Sequence, residues 1–409
     1  MKKIIGVTLG ILTAVGGFVD IGDLVANALV GARYGMALAW VVVVGVIGIM
    51  VYGEMSARVA AVTHRATFDL IRERLGPRFG LVNLGASFLV NILTLCAEIG
   101  GVALALQLAS SVNYLLWVPL VAFLVWFVMW RVKFDTLEQV FGLGGLALIA
   151  FGVALWKLGP DWAGLLHQAL KPTVPSGEGH PTYFYYAIAL FGSAMTPYEV
   201  FFLSSGGVEE KWTTKDLVLA RANSAIGFPL GALIALAIMA VAAVVLYPAG
   251  ISVDALSQTV LPGVIALGKL GLAFLIIGIF CATFGAALET GLSSGYTIGQ
   301  YFGWQWGKYV RPREAARFHL VLVVSVLAGA MVLLTTVDPI KVTEYSLVFS
   351  AVALPLTYFP VLLIANDHDY MGEKTNGRFT NALALIYLVI LIVVSVAAIP
   401  LMIATKAGL

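Results

Sequence analysis

The chain has 409 residues, of which 60% are hydrophobic and only 11% charged, and its formal net charge is +2. Soluble domains carry about 25% charged residues, so this chain has too little polar surface to face water all round, and its mean hydropathy of +0.97 points to lipid as its solvent. The near-neutral balance gives no ground for a nucleic-acid partner, and Cys96 and Cys281, both in apolar runs, read as packing residues rather than a disulfide or metal pair.

A helix crossing the hydrocarbon core needs roughly 20 mostly apolar residues. Stretches of that kind are predicted at 4–31, 35–62, 81–110, 112–130, 137–157, 183–205, 218–247, 262–298, 318–336, 343–365 and 379–404. No β-barrel alternation accompanies them, so an all-α polytopic protein is expected, helices being the way to satisfy backbone polar groups in lipid. The opening MKKIIGVTLGILTAVGG has the basic start and apolar run of a signal peptide, but it continues straight into Asp20-Ile21-Gly22-Asp23 and more apolar sequence. It is read as the first half of span one. With the N-terminus inside, the outer side keeps only Arg33, Lys157, Lys171, Lys269, Lys341 and Lys406 of the 24 Lys and Arg residues. That asymmetry sets a cytoplasmic N-terminus and an extracytoplasmic C-terminus in an inner (plasma) membrane.

In chain order, span one carries Gly16, Gly17, Asp20, Gly22 and Asp23 at its centre. Span two carries Glu54, with Arg58 one helical turn on, and span three carries Glu98. A long outer segment, 158–182, rich in Pro, Gly and His (KPTVPSGEGHP), follows span five. Span six reads ALFGSAMTPYEVFF, with Gly192, Thr196, Pro197 and Glu199 central. Span eight is overlong, is expected to fray or tilt, and carries Glu289. Asp367, His368 and Asp369 follow span ten as a solvated turn. The outer segment is a natural seam: 1–157 and 183–365 would each hold five spans, and 366–409 would add an inner loop and an eleventh helix. An odd helix count per half forces the second half to be inverted, an arrangement common among secondary transporters.

Spans one and six open the two halves, and each combines helix breakers with an acid at mid-depth. Interruptions in corresponding positions point to a substrate site. The chemistry favours a cation: unwound carbonyls and the C-terminal end of a half-helix present negative partial charge, and Asp20, Asp23 and Glu199 would converge there. A charge at the bilayer centre costs about 2.5–3.5 kcal/mol on insertion scales, and a bound divalent ion relieves it. Carboxylates, a Thr196 hydroxyl and carbonyls are hard ligands suited to Mg²⁺, Ca²⁺ or Mn²⁺. Mg²⁺ keeps several waters and takes only one or two carboxylates, so it fits an acidic, sulfur-free site. Glu98, Glu54 and Glu289 are second-tier pathway candidates.

At these residues the chain resembles the NRAMP family of divalent-metal transporters, and its magnesium branch in particular. The family's Asp-Pro-Gly-Asn break corresponds to Asp20-Ile21-Gly22-Asp23, and its Met-Pro-His-Asn to Thr196-Pro197-Tyr198-Glu199. MSARVAAVTHRATFDLIRERLG (55–76), CAEIGGVALALQL (96–108) and LIANDHDYMGEKTNG (363–377) resemble further family segments. The resemblance implies a LeuT-like fold of two inverted five-helix repeats plus an eleventh helix. It implies metal binding by Asp20, by Asp23 in place of Asn, by Thr196 in place of the Met sulfur, and by a carbonyl of Ser193 or Ala194. It also bears on coupling, because the acid that proton-coupled members carry in span three is Leu95 here, and their span-six histidines are Tyr198 and Leu203.

The function expected is alternating-access carriage of divalent cations, Mg²⁺ foremost and Mn²⁺ also, without proton coupling. No enzyme activity and no cofactor are expected, the lipid bilayer is the surrounding partner, and a monomer suffices. Alternatives are a proton-coupled Mn²⁺ or Fe²⁺ carrier and a sodium-coupled organic-solute carrier of the same fold. No HExxH, GxSxG or P-loop motif suggests an enzyme.

Overall fold

The computed structural model describes residues 19–132, 134–175 and 177–408. The first half of span one, with Gly16 and Gly17, lies outside the described residues. Within them the chain is helical without a strand, and ten helices are long and apolar enough to cross a membrane. They correspond to spans two to eleven.

The first described helix, α1 (Ile21–Tyr34), starts because Asp20 caps it: its Oδ1 accepts the Asp23 N–H at 2.8 Å. Asp at this position satisfies an N–H that has no intrahelical partner. Gly35, at φ +60°, ends the helix. Helix α2 (Ala39–Thr63) leads through a turn at His64 into the short amphipathic α3 (Thr67–Leu75). Pro77 then opens α4 (Pro77–Ser110), where its missing N–H is of no consequence. Helix α5 (Tyr114–Arg131) follows. Span five is divided into α6 (Phe134–Gly145), a 3-10 turn at Leu146–Leu148, and α7 (Ile149–Leu158).

The segment expected as an open outer loop carries a helix of its own, α8 (Trp162–Leu170). Span six is two helices, α9 (His180–Ala194) and α10 (Pro197–Glu209). After α11 (Leu217–Ala249) comes the overlong eighth span. It starts earlier than the sequence suggests, as α12 (Leu256–Phe302), and it does not fray: it bends at Gly268, whose φ of +66° and ψ of −151° suit a residue without Cβ. Helices α13 (Ala316–Leu334) and α14 (Pro339–Ala365) complete the second half. A one-turn helix, α15 (His368–Met371), leads to α16 (Arg378–Ala404). Asp367 caps α15 and pairs with Arg74, so the Asp-His-Asp group is accounted for locally.

Lipid offers no hydrophobic gain for helix–helix contact, so close packing must come from small residues. A Cβ on Gly31 would collide with the Met239 carbonyl, bringing α1 onto α11, and one on Gly192 would lie 2.6 Å from the Leu347 carbonyl, bringing α9 onto α14. Glycine is required at both contacts. They seat α1 and α9 against their neighbours in the bundle.

Candidate metal site at a helix start and a helix break

Helix α9 ends at Ala194, Met195 and Thr196 are non-helical, and α10 resumes at Pro197. The cause is local. Proline has no N–H to offer the Ser193 carbonyl four residues back, and it disfavours helical geometry at the residue before it. The carbonyl end of α9 and the N–H ends of α1 and α10 therefore terminate inside the protein.

Two acids stand at this meeting point. Asp20 and Asp23 are each only 3% exposed. Asp20 Oδ1 is engaged by the Asp23 N–H, and Oδ2 accepts from the Tyr198 hydroxyl at 3.5 Å. The Ser193 hydroxyl donates to Asp23 Oδ1, tying α9 to α1 directly at the break. Asn27 donates to the Asp23 carbonyl at 2.9 Å. Thr196 donates to Glu199 Oε2 at 3.2 Å, and the Tyr358 hydroxyl of α14 reaches the Thr196 carbonyl at 3.4 Å. From α12, Ser293 donates to the Tyr198 carbonyl at 3.3 Å. The carboxylate oxygens that these bonds engage are Asp23 Oδ1 and Glu199 Oε2.

Glu98 is fully buried on α4, and both its oxygens accept from the Ile21 N–H, at 3.3 and 3.4 Å. It thus answers the positive N-terminal end of α1. Glu289 on α12 is half-buried and within electrostatic range of Glu98 and Tyr198. Glu54 belongs elsewhere. It is shared by Arg58, at 3.1 Å, and Arg221, at 2.8 Å, in a surface cleft that also includes Lys374 and Asn376. Ala194 ends α9 with its side chain against Gly45 of α2.

The sulfur next to the break points away. Met195 is fully buried, and a Cβ on Gly48 of α2 would come within 2.5 Å of its sulfur, with Tyr387 beside it. The donors at the break are therefore oxygens. Among the described residues no three His, Cys, Asp or Glu side chains surround one point, so a cation here would complete its shell with hydroxyls, carbonyls and water.

Read alone, the sequence counts Ser193 only for its carbonyl and does not bring in Tyr198 or Tyr358 as site partners. Ser193 and Tyr198 lie inside the motif, and that position is the signal that could have marked their side chains. Tyr358 reaches the break from another helix, and no local spacing announces it.

The sequence matches the profile of the Nramp family, described as natural resistance-associated macrophage protein-like, over residues 10–400. Among curated relatives, a divalent metal cation transporter MntH 1 of Pseudomonas aeruginosa is 28% identical, covering 92% of this chain and 86% of its own. A divalent metal cation transporter MntH of Aeromonas hydrophila is 24% identical, covering 90% and 88%. A crystal structure of a mutant of the Eremococcus coleocola manganese transporter superposes with a TM-score of 0.76 at 18% identity, over 98% of this chain and 87% of that one. The nucleobase-cation-symport-1 family transporter Mhp1, in a closed conformation, superposes at 0.62 with 16% identity, over 97% and 92%. These likenesses give the fold as the LeuT type of two inverted repeats.

Proposed function

Since the chain belongs to the Nramp family and is a multi-pass divalent metal transporter of the MntH type, we propose that its preferred cargo is Mg²⁺, carried by alternating access without a coupled proton. The observation that carries this reading is the all-oxygen donor set where α1 starts and span six breaks. Nramp-type selection for transition metals rests by resemblance on a Met sulfur, and here Thr196 stands in its place while the Met195 sulfur packs on Gly48. Hard oxygen donors suit Mg²⁺ and Mn²⁺. Few direct carboxylates favour Mg²⁺, which gives up its hydration reluctantly and needs only one or two of them.

In this proposal Asp23 and Glu199 present their second carboxylate oxygens, Oδ2 and Oε1, to the ion. Asp20, held by its cap and by Tyr198, adds charge, and the Ser193 or Ala194 carbonyl and the Thr196 hydroxyl complete the protein's share. Glu98 orients α1 through the Ile21 N–H. Leu95, Tyr198 and Leu203 replace the titratable groups of proton-coupled relatives, so the membrane potential is the proposed driving force. A divalent ion gains about 4.6 kcal/mol over 100 mV, twice the ~2.3 kcal/mol per charge. The proposed orientation places the N-terminus in the cytoplasm. A manganese carrier is the second reading, favoured by the likeness to the Eremococcus manganese transporter.

The test uses charge-removing variants that spare the fold. Asn caps a helix as well as Asp, so Asp20→Asn leaves α1 its cap. Asp20→Asn and Glu199→Gln are each expected to reduce Mg²⁺ uptake at least about tenfold with little change in melting temperature. Undiminished uptake by either would remove that residue from the site.

A further inference from the structure

Helices α4 and α14 pack antiparallel, and three contacts fix their register. A Cβ on Gly100 would lie 2.7 Å from that of Pro339. Thr94 and Ser346 share a hydrogen bond at 3.0 Å, and the Asn83 amide donates to the Leu356 carbonyl at 2.6 Å. Between these points Glu98 falls near the level of Thr343, and Asn91 near that of Ser350. Thr357, beside Leu356, falls at the level of Asn83.

The seam so formed is polar along its length. Asn83, Ser87, Asn91, Thr94 and Glu98 follow one another at the three- and four-residue spacing of a single face of α4. Thr343, Ser346, Ser350 and Thr357 share one face of α14 in the same way. None of these side chains is more than 7% exposed. Polar side chains between membrane helices act as glue where each finds a partner. Thr94 and Ser346 do so, Ser87 donates to Asn83 Oδ1 at 2.9 Å, and Thr343 turns back on the Pro339 carbonyl at 2.9 Å. Two groups do not. Among the described residues Asn91 Nδ2 and Thr357 Oγ1 have no hydrogen-bond partner, although Asn91 is 1% exposed and Thr357 not at all. Buried polar groups are almost always satisfied, and bound water is the usual means where protein partners are lacking. The orphan on Asn91 is a donor, which disfavours a cation beside it. From Asn83 to Thr94 the two stripes carry no charge to hold an anion. Water is the ligand that suits both orphans.

We propose that α4 and α14 hold a file of water between them, anchored by Asn91, Ser350 and Thr357, from the end of the bundle where Pro77 opens α4 up to Glu98. At ~1.5 Å per residue the stretch from Asn83 to Glu98 covers about 22 Å of helix. The file gives Glu98, the carboxylate that holds the Ile21 N–H of α1, an aqueous contact with one face of the membrane that does not pass through the candidate metal site. It is independent of which ion is carried.

The experiment reads water, not transport. In the full chain, Cys96 and Cys281 are replaced by Ala, and single cysteines are introduced as Ser350→Cys and, for reference, Leu89→Cys, which is 53% exposed on the outside of α4. In nanodiscs, oxidation by hydroxyl radicals generated from water by X-ray pulses is expected to be at least about fivefold faster at Ser350→Cys than at Leu89→Cys. Equal rates overturn the bound water. Asn91→Leu replaces the orphan amide with an apolar group of similar size, and Thr357→Val removes the orphan hydroxyl. Each is expected to slow Ser350→Cys oxidation at least about twofold, and an unchanged rate in both overturns the anchoring. Continuity is read with silver ion, which follows water-filled paths and binds thiolate, added to one face of proteoliposomes at a time. Arg78→Cys, exposed at the start of α4, marks the face concerned. From that face Ser87→Cys and Ser350→Cys are expected to react at least about tenfold faster than from the other. Reaction of Ser350→Cys from the opposite face alone, or from neither, overturns the file.

Discussion

Asp23 shows how one side chain can serve both fold and cargo. Its N–H is held by the Asp20 cap, one carboxylate oxygen by Ser193, and its carbonyl by Asn27, so the carboxylate is oriented before any ion arrives. Asp23→Asn preserves the size and the acceptor for Ser193 but removes a charge. At about 4 Å and an effective dielectric near 20, a pair of unit charges is worth ~4 kcal/mol. Mg²⁺ affinity measured by calorimetry is therefore expected to fall well over tenfold, and Ser193→Ala, which only loosens the same carboxylate, is expected to cost less. A second residue-scale prediction concerns Asp69 on α3, outside the spans. Burial raises its pKa from 3.8 to about 6, against the pull of Arg65 and Arg72. A raised acid binds its proton more tightly in the fold, so the ionised form costs stability above pH 6, and that cost fades between about pH 6 and 4. Asp69→Asn should melt higher than the parent at pH 7.5, with the difference shrinking toward zero at pH 4. An equal difference at both pH values would contradict the assignment. The placing of Asp20 and Asp23 at the start of α1, and of Thr196 and Glu199 at the break in span six, was legible because breaker and acid sit together in the sequence. Glu98's bond to the Ile21 N–H was not, because it joins residues 77 positions apart.

Among the elements, the interruption of span six follows from Pro197 and was readable. The break of span eight was not, because Gly268 is one of 43 glycines and only its backbone angle distinguishes it. The helix α8 inside 158–182 was hidden by the Pro- and Gly-rich residues around it. Tight seating of α9 is the element-scale requirement for the site, since it sets where Ser193 meets Asp23. Gly192→Ala would force a Cβ to within 2.6 Å of the Leu347 carbonyl. Overpacking of this kind costs about 1–3 kcal/mol. The variant should melt lower and lose uptake, and Ser193→Ala, which adds no volume, should keep its melting temperature. A Gly192→Ala protein as stable and active as the parent would show that α9 and α14 are not held at that contact.

For the whole molecule, hydropathy alone located spans two to eleven to within a few residues at most ends, because a lipid solvent tolerates few other patterns. Pairing of helices across the bundle, such as α1 on α11, depended on single glycines meeting backbone carbonyls and left no periodic trace. The fold brings the start of α1 and the break between α9 and α10 into one oxygen-lined junction, and the proposed transport follows from the charge and hardness of that junction. The most direct measurement is Mg²⁺ uptake into sealed proteoliposomes under a set inside-negative potential, with a trapped pH dye and Mn²⁺ compared at equal concentration. The account predicts potential-dependent Mg²⁺ entry with no acidification of the lumen. Mn²⁺ entry accompanied by acidification, with no response to Mg²⁺, would contradict it.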